Sequence, residues 1–221
     1  MGSVIAEVLP FALAIVASAA AIIALVILLM GDSGKASGTA FCTGWFLGVM
    51  AVMAIAILFG LAAPEESPNW ALWTKVVFGA LLLVLAVKKI GDTRRDATEE
   101  HQQPRWMAGL SEMSPGRALV LGALLAGVNP KNLLLALAAG SVIVASTLSQ
   151  PEAWTTAVIF ALVSSIGLLI PFGIYLALGA RAQAPLSALR AWMERNTDGI
   201  TITILVIFGV KLLADGIAGL A

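Results

Sequence analysis

The chain has 221 residues, of which 60% are hydrophobic and 12% charged, whereas a soluble domain carries roughly a quarter charged residues. That composition excludes an ordinary water-soluble domain and indicates an integral membrane protein. Acidic and basic residues balance to a net charge of zero, so no global field favours nucleic acid. A lone cysteine, Cys42, excludes an internal disulfide and a cysteine-cluster metal site.

A membrane-spanning helix needs about 20 apolar residues. Six runs approach that length: Val4–Met30, Thr39–Ala62, Trp70–Val87, Ala118–Thr147, Ala153–Leu178 and Ile200–Leu220. The first stretch, Met1–Pro10, contains Glu7 and no Lys or Arg. It lacks the basic start of a cleaved signal peptide, so the first run is read as a retained helix. The loops between the runs differ in charge. Loops one, three and five hold Lys35, then Lys88, Lys89, Arg94, Arg95, Arg105 and Arg117, then Arg181, Arg190 and Arg195, and loops two and four hold no basic residue. The bias of basic residues places the odd loops in the cytoplasm and both termini outside a plasma or inner membrane.

The third loop is the long one. Its first part, Gly91–Gln103, is mixed in charge and expected to be mobile. Its second part spaces Trp106, Leu110 and Met113 as an amphipathic helix on the inner surface. Loop five repeats the pattern with Leu186, Leu189, Trp192 and Met193 beside Arg190 and Arg195. Surface anchoring and a gating or headgroup contact are both open for these segments.

Val77–Leu83 in the third run resembles Ile207–Leu213 in the sixth. Aligning the two halves helix by helix places Ser18-Ala19-Ala20-Ala21 of the first run opposite Asn129-Pro130-Lys131-Asn132 of the fourth. Three helices per half require the second copy to be inverted in the membrane, a transporter pattern whose site lies near the midplane. The expected architecture is an all-α polytopic membrane protein. Six transmembrane helices form two inverted three-helix repeats, residues 1–90 and 118–221, joined by a cytoplasmic segment, 91–117.

The fourth run contains the residues that hydrocarbon tolerates least. Pro130 has no amide hydrogen for the carbonyl of Ala126, so a continuous helix must kink or break there. The local sequence is also a good helix start: Asn129 suits the N-cap, Pro130 the first helical position, and Lys131 and Asn132 the first turn. A half-helix beginning at mid-membrane presents positive potential, to which Lys131 adds a charge, and the combination can hold an anion. The plainer reading is a proline kink whose polar groups are satisfied by neighbouring helices, with Lys131 paired or neutral. Intramembrane ionisable groups are functional by default, so Asn129, Pro130, Lys131, Asn132 and the aligned Ser18 are taken as candidate substrate-binding residues.

Four further charges, Glu7, Lys75, Lys211 and Asp215, lie on the outer side of the expected midplane. Lys211 and Asp215 can pair at i, i+4. Snorkelling side chains are one reading; an outer vestibule in which Glu7 or Asp215 exchanges a proton and Lys211 tunes them is the other. Gly44 and Gly48 are spaced for close helix contact, either within the chain or in a homodimer. Pro171, flanked by Gly167 and Gly173, can hinge the fifth helix, and Ser164 and Ser165 could line a cavity or serve as helix-packing contacts.

An enzyme is hard to build from this inventory. The one histidine, His101, lies in a charged loop, and no nucleophile elbow, metal motif or phosphate loop is present. No cofactor is expected, and transport would draw on a gradient or on a partner's energy.

Six helices in two inverted halves with Asn129-Pro130-Lys131 in the fourth resemble the LysE (lysine exporter) superfamily. The fuller run Arg105-Trp106-Met107, Ser114-Pro115-Gly116-Arg117-Ala118 and Gly127 to Leu135 is similar to its peptidoglycolipid-addressing (GAP, or Sap) branch in actinobacteria. The resemblance implies movement of an amphipathic anionic lipid, such as a glycolipid, to the cell surface, as an exporter or flippase. Two rivals remain: a small-molecule exporter for amino-acid-like solutes, and a non-transporting partner of a lipid-export machine. One departure stands out. Superfamily members carry a proline in a break of the first helix, where this chain has Ser18 and three alanines. Alanine favours an unbroken helix, so the counterpart break is expected to be absent or bent only by Ser18, with cargo held mainly from one half.

Overall fold

The structure is a computed structural model that describes residues 1–61, 70–96 and 109–220. Among the described residues there are eight α-helices: α1 (Gly2–Val16), α2 (Ala19–Leu29), α3 (Gly34–Leu61), α4 (Trp70–Asp96), α5 (Pro115–Gly127), α6 (Pro130–Val144), α7 (Gln150–Leu178) and α8 (Gln183–Leu220). No strand occurs among the described residues.

Proline and small polar residues set the helix starts. Pro115, Pro130 and Pro151 all fall in first turns, behind Ser114, Asn129 and Ser149 at the N-caps. A proline there loses no intrahelical bond, because its missing N–H would have had no partner. At α7 the Glu152 carboxylate also accepts from the Ser149 backbone N–H at 2.9 Å, closing a capping box.

Helices α3, α7 and α8 are each long and apolar enough to cross a membrane. The pairs α1/α2 and α5/α6 pass the same test as broken spans, bent by 53° and 64°. The remaining expected run, the third, lies within α4, a helix of 27 residues with Lys75 toward one end and Lys88, Lys89 and Arg94 toward the other. Two bends therefore divide the apolar bundle, and of the two expectations for the first span, unbroken or bent at Ser18, the structure shows the second, with the break at Ala17–Ser18.

Glycines let backbones approach within the bundle. A Cβ at Gly44 of α3 would lie 1.9 Å from the Leu119 carbonyl oxygen of α5. The two helices run parallel, and at their start the Ser37 hydroxyl donates to the Met113 carbonyl at 2.9 Å. Gly44 and Gly48 thus serve packing within the chain. Between α4 and α8, a Cβ at Gly79 would meet Leu213 and the Gly209 carbonyl, and one at Gly209 would meet Leu83 and the Gly79 carbonyl. The contact is reciprocal, with each glycine facing the other and the leucine four positions beyond it. At one end of the pair Lys89 Nζ lies 2.6 Å from Asp198 Oδ1, and the Thr93 hydroxyl donates to Asp198 Oδ2 at 2.7 Å.

Other boundaries differ from expectation. Residues 91–96 extend α4 rather than opening a loop, and 97–108, with His101, Arg105 and Trp106, lie outside the described residues. Loop five is a short 3₁₀ turn, Gly179–Ala182, after which α8 runs unbroken for 38 residues. Gly199 alone does not end it, since one glycine costs about 1 kcal/mol in a helix. Leu186 and Met193 of the expected amphipathic segment are buried, Leu189 packs against the core, and Trp192 is exposed.

Gly44→Leu is expected to destabilise the bundle by about 1–3 kcal/mol, the usual cost of overpacking. Gly91→Leu, where a Cβ meets nothing within 4 Å, is expected to be neutral or mildly stabilising. Thermal unfolding of both variants in detergent checks the pair.

Candidate functional site at the junction of the broken spans

The second broken span follows the local sequence closely. Asn129 is extended (φ −61°, ψ 119°) and its side-chain oxygen accepts from the Lys131 backbone N–H at 3.1 Å. The Asn129 carbonyl accepts from Leu133 N–H at 2.8 Å, so Pro130 opens a regular α-helix. On the other side of the break, Val128 N–H still donates to Leu124 at 2.8 Å and closes α5.

The first broken span has no such local instruction. Ala17 (φ −82°, ψ 46°) and Ser18 (φ −88°, ψ 84°) leave the helical region, and the ladder resumes with Ala21 and Ile22 donating to the Ser18 carbonyl. The carbonyls this interruption exposes are taken by the other span. Lys131 Nζ donates to the Ala14 carbonyl at 3.1 Å and the Ala17 carbonyl at 3.2 Å. Asn132 Nδ2 donates to Ser18 Oγ at 3.1 Å and to the Leu125 carbonyl at 3.2 Å. Lys131 is 6% exposed and Asn132 is fully buried.

The two breaks are therefore one structure. Lys131 sits at the carboxyl end of α1, where the helix dipole favours a cation, and it supplies donors to the Ala14 and Ala17 carbonyls that the break leaves without helical partners. A tertiary partner overrides the helix preference of the alanines, and of the two expectations for Ser18, no break or a bend, the structure shows the bend. The amino ends of α2 and α6 meet at the Ser18–Asn132 hydrogen bond. The close packing that this needs is provided by Gly167 of α7, where a Cβ would lie 2.2 Å from the Val16 carbonyl.

Lys131 makes two hydrogen bonds to carbonyls, and an ammonium has three donors. Asn132 Oδ1 is buried with no partner, as is Trp45 Nε1 of α3. Beside the break, α4 and α6 leave a laterally open apolar groove of about 270 Å³, lined by Leu81, Val84, Leu85, Val128, Pro130, Leu133 and Leu134. A second cavity, about 220 Å³, lies away from the break, where α2 and α7 end and α8 begins, against Tyr175 and Gln183.

The remaining candidate residues are placed as follows. Glu7 of α1 lies 3.9 Å from Lys75 of α4, and Lys211 lies 2.5 Å from Asp215 along α8. All four are thus in ion pairs, partly exposed, and none touches Lys131. Pro171 is buried inside α7, which continues through it. The Ser164 and Ser165 hydroxyls donate back to the Ala161 carbonyl at 3.1 and 2.7 Å, so they are spent within their own helix. Among the described residues no three His, Cys, Asp or Glu side chains are grouped to hold a metal ion. Sequence reasoning missed the Ala14, Ala17 and Leu125 carbonyls, which carry no side-chain signature. It also missed Asp198, although Lys89 and Asp198 stand at the same end of the two runs matched by the repeat.

The family model described as Sap, sulfolipid-1-addressing protein, matches residues 8–218, including both breaks. The chain belongs to that family. No curated protein and no solved structure matches this Sap-family chain. Every hydrogen bond that joins the two spans lies inside the matched region.

Stability is expected to fall in the order wild type, Ser18→Ala, Asn132→Leu, Asn132→Asp. The first removes one acceptor, worth about 1 kcal/mol as an interhelical hydrogen bond. The second also orphans the Leu125 carbonyl, and the third sets a carboxylate oxygen against it. Melting temperatures in one detergent test the order.

Proposed function

We propose that this Sap-family chain carries an amphipathic anionic lipid toward the cell surface, as an exporter or flippase rather than as an enzyme. The observation that carries the reading is the Lys131–Asn132 junction: a buried cation bridging two broken spans. The family description, with its reference to a sulfolipid, supports a lipid cargo bearing negative charge. The groove beside the break, apolar and open sideways, favours a lipid over a small water-soluble solute.

The proposed mechanism turns on competition for Lys131. Its present partners are neutral carbonyls, while a sulfate, phosphate or carboxylate offers charge-assisted hydrogen bonds that are roughly twice as strong. An anionic headgroup reaching Asn129, Lys131 and Asn132 draws the ammonium from Ala14 and Ala17. The end of α1 is then uncapped, and α1/α2 and α5/α6 are free to change their mutual angle. Return of Lys131 to the carbonyls releases the headgroup on the other side. Glu7 and Asp215, paired with Lys75 and Lys211, are the groups that would take up and release protons in a gradient-driven cycle.

The architecture that suits this cycle has six spans in two inverted repeats, α1 to α4 and α5 to α8, with α4 supplying the sixth. The reciprocal Gly79–Leu213 and Gly209–Leu83 contacts are what a two-fold axis between α4 and α8 would produce. In the plasma membrane, with the basic loops inside, both termini face outward.

Lys131→Met is expected to lower surface delivery of the lipid at least tenfold in cells lacking the wild-type chain, with the protein still present and folded in the membrane. Lys131→Arg is expected to retain part of it. Surface lipid extraction with mass spectrometry, alongside membrane abundance, is the readout. Normal surface lipid in the Lys131→Met strain rules out the headgroup role.

A further inference from the structure

The groove between α4 and α6 has a depth, a composition and an opening that together define what can occupy it. Pro130, on its wall, is the first residue of α6 and follows the 13 residues of α5. At 1.5 Å per residue the groove stands about 20 Å from one end of the broken span and, with the 15 residues of α6 beyond it, about 22 Å from the other, so it lies near the middle of the span and of the hydrocarbon core such a span crosses. Headgroups do not reside at that depth in an undisturbed bilayer; alkyl chains do. The lining is almost wholly apolar, and its outer rim is exposed: Val84 and Val128 are 63% and 64% exposed.

The groove exists because of the break. The 64° bend swings α6 away from the line of α5, while α4 follows α8 along the Gly79–Gly209 contact. One wall therefore belongs to the broken span and the other to the α4/α8 pair. Asn129 and Lys131 flank Pro130 in the chain, so the groove and the polar junction share the first turn of α6, with the Lys131 and Asn132 side chains directed to α1, Ser18 and Leu125 rather than into the groove.

We propose that this groove is a binding subsite for one acyl chain of the transported lipid, held while the headgroup engages the Lys131 junction. The proposal rests on the reading of the chain as a lipid carrier and adds the place where the chain sits. Val84 and Leu134, on opposite walls, close on the alkyl chain, and Pro130 sets the end nearest the headgroup.

A phosphatidylglycerol probe with a mid-chain diazirine, photolysed with the full-length protein in nanodiscs, tests the proposal. Labels are expected to concentrate on Val84, Val128 and Leu134. The double variant Val84→Trp/Leu134→Trp, which fills the groove, is expected to lose at least fivefold of that labelling and of surface delivery. Val120→Trp, at an exposed position on α5, is the control and keeps both. Labels spread evenly over lipid-facing positions such as Leu47, Phe59 and Leu162 identify bulk bilayer lipid and overturn the subsite. So does normal delivery by the filled variant. If Lys131→Met abolishes delivery while the filled variant delivers normally, the subsite fails and the carrier reading stands. Labelling confined to the groove with normal delivery by Lys131→Met leaves the subsite and removes the headgroup role.

Discussion

A helix broken inside hydrocarbon exposes backbone carbonyls where no water can satisfy them, and each unsatisfied group costs several kcal/mol. This constraint governs the protein. The break at Ala17–Ser18 persists because Lys131 and Asn132, from the other broken span, supply the missing donors. Neither break is independent. Removing Lys131 leaves the end of α1 with unpaired carbonyls, and removing the α1 bend leaves a buried cation without partners, which costs about 3–5 kcal/mol when one side of such a pair is lost. Because of the same interdependence, one anion competing for Lys131 would change the balance for both spans.

The rest of the bundle is arranged around that junction. Helices α3 and α7 bring glycines to the backbones of α5 and α1, so the half-helices are clamped at van der Waals distance. Helices α4 and α8 form a close pair of their own. At one end the pair is tied by Lys89, Thr93 and Asp198; Lys211–Asp215 lies within α8 toward the other, where Lys75 reaches Glu7 of α1. These ion pairs are partly exposed, and each contributes about 0–1 kcal/mol to stability. By contrast, the Lys131–Ala14 and Asn132–Ser18 hydrogen bonds of the junction are buried.

Much of this was legible in the residues. Asn129-Pro130 specified both a break and a helix start, because proline lacks a donor and asparagine supplies an acceptor to the first turn. Gly44 and Gly48 announced close packing, and the matched segments around Gly79 and Gly209 proved to face each other. Ser18 was legible only as one of two alternatives, a bend or no break at all. Its neighbours Ala19, Ala20 and Ala21 are good helix formers, and the donors that open the helix there come from residues more than a hundred positions away. Helix α8 was misdivided for the opposite reason: Arg190, Glu194, Arg195 and Asp198 read as a loop in a hydropathy profile, while their backbone simply continues the helix beyond the apolar stretch. Leu186 and Met193 showed the correct buried face but not the continuity.

The central claim is that the Lys131 contact with the end of α1 opens when an anionic lipid binds. Spin-label distances between Leu13→Cys on α1 and Leu137→Cys on α6, in a Cys42→Ala background and in nanodiscs, measure it most directly. With zwitterionic lipid alone a single short distance is expected. Anionic lipid should add a second, longer population, and Lys131→Met should show that population without any anionic lipid. One unchanged distance under all three conditions, in protein that still delivers lipid, would contradict the account.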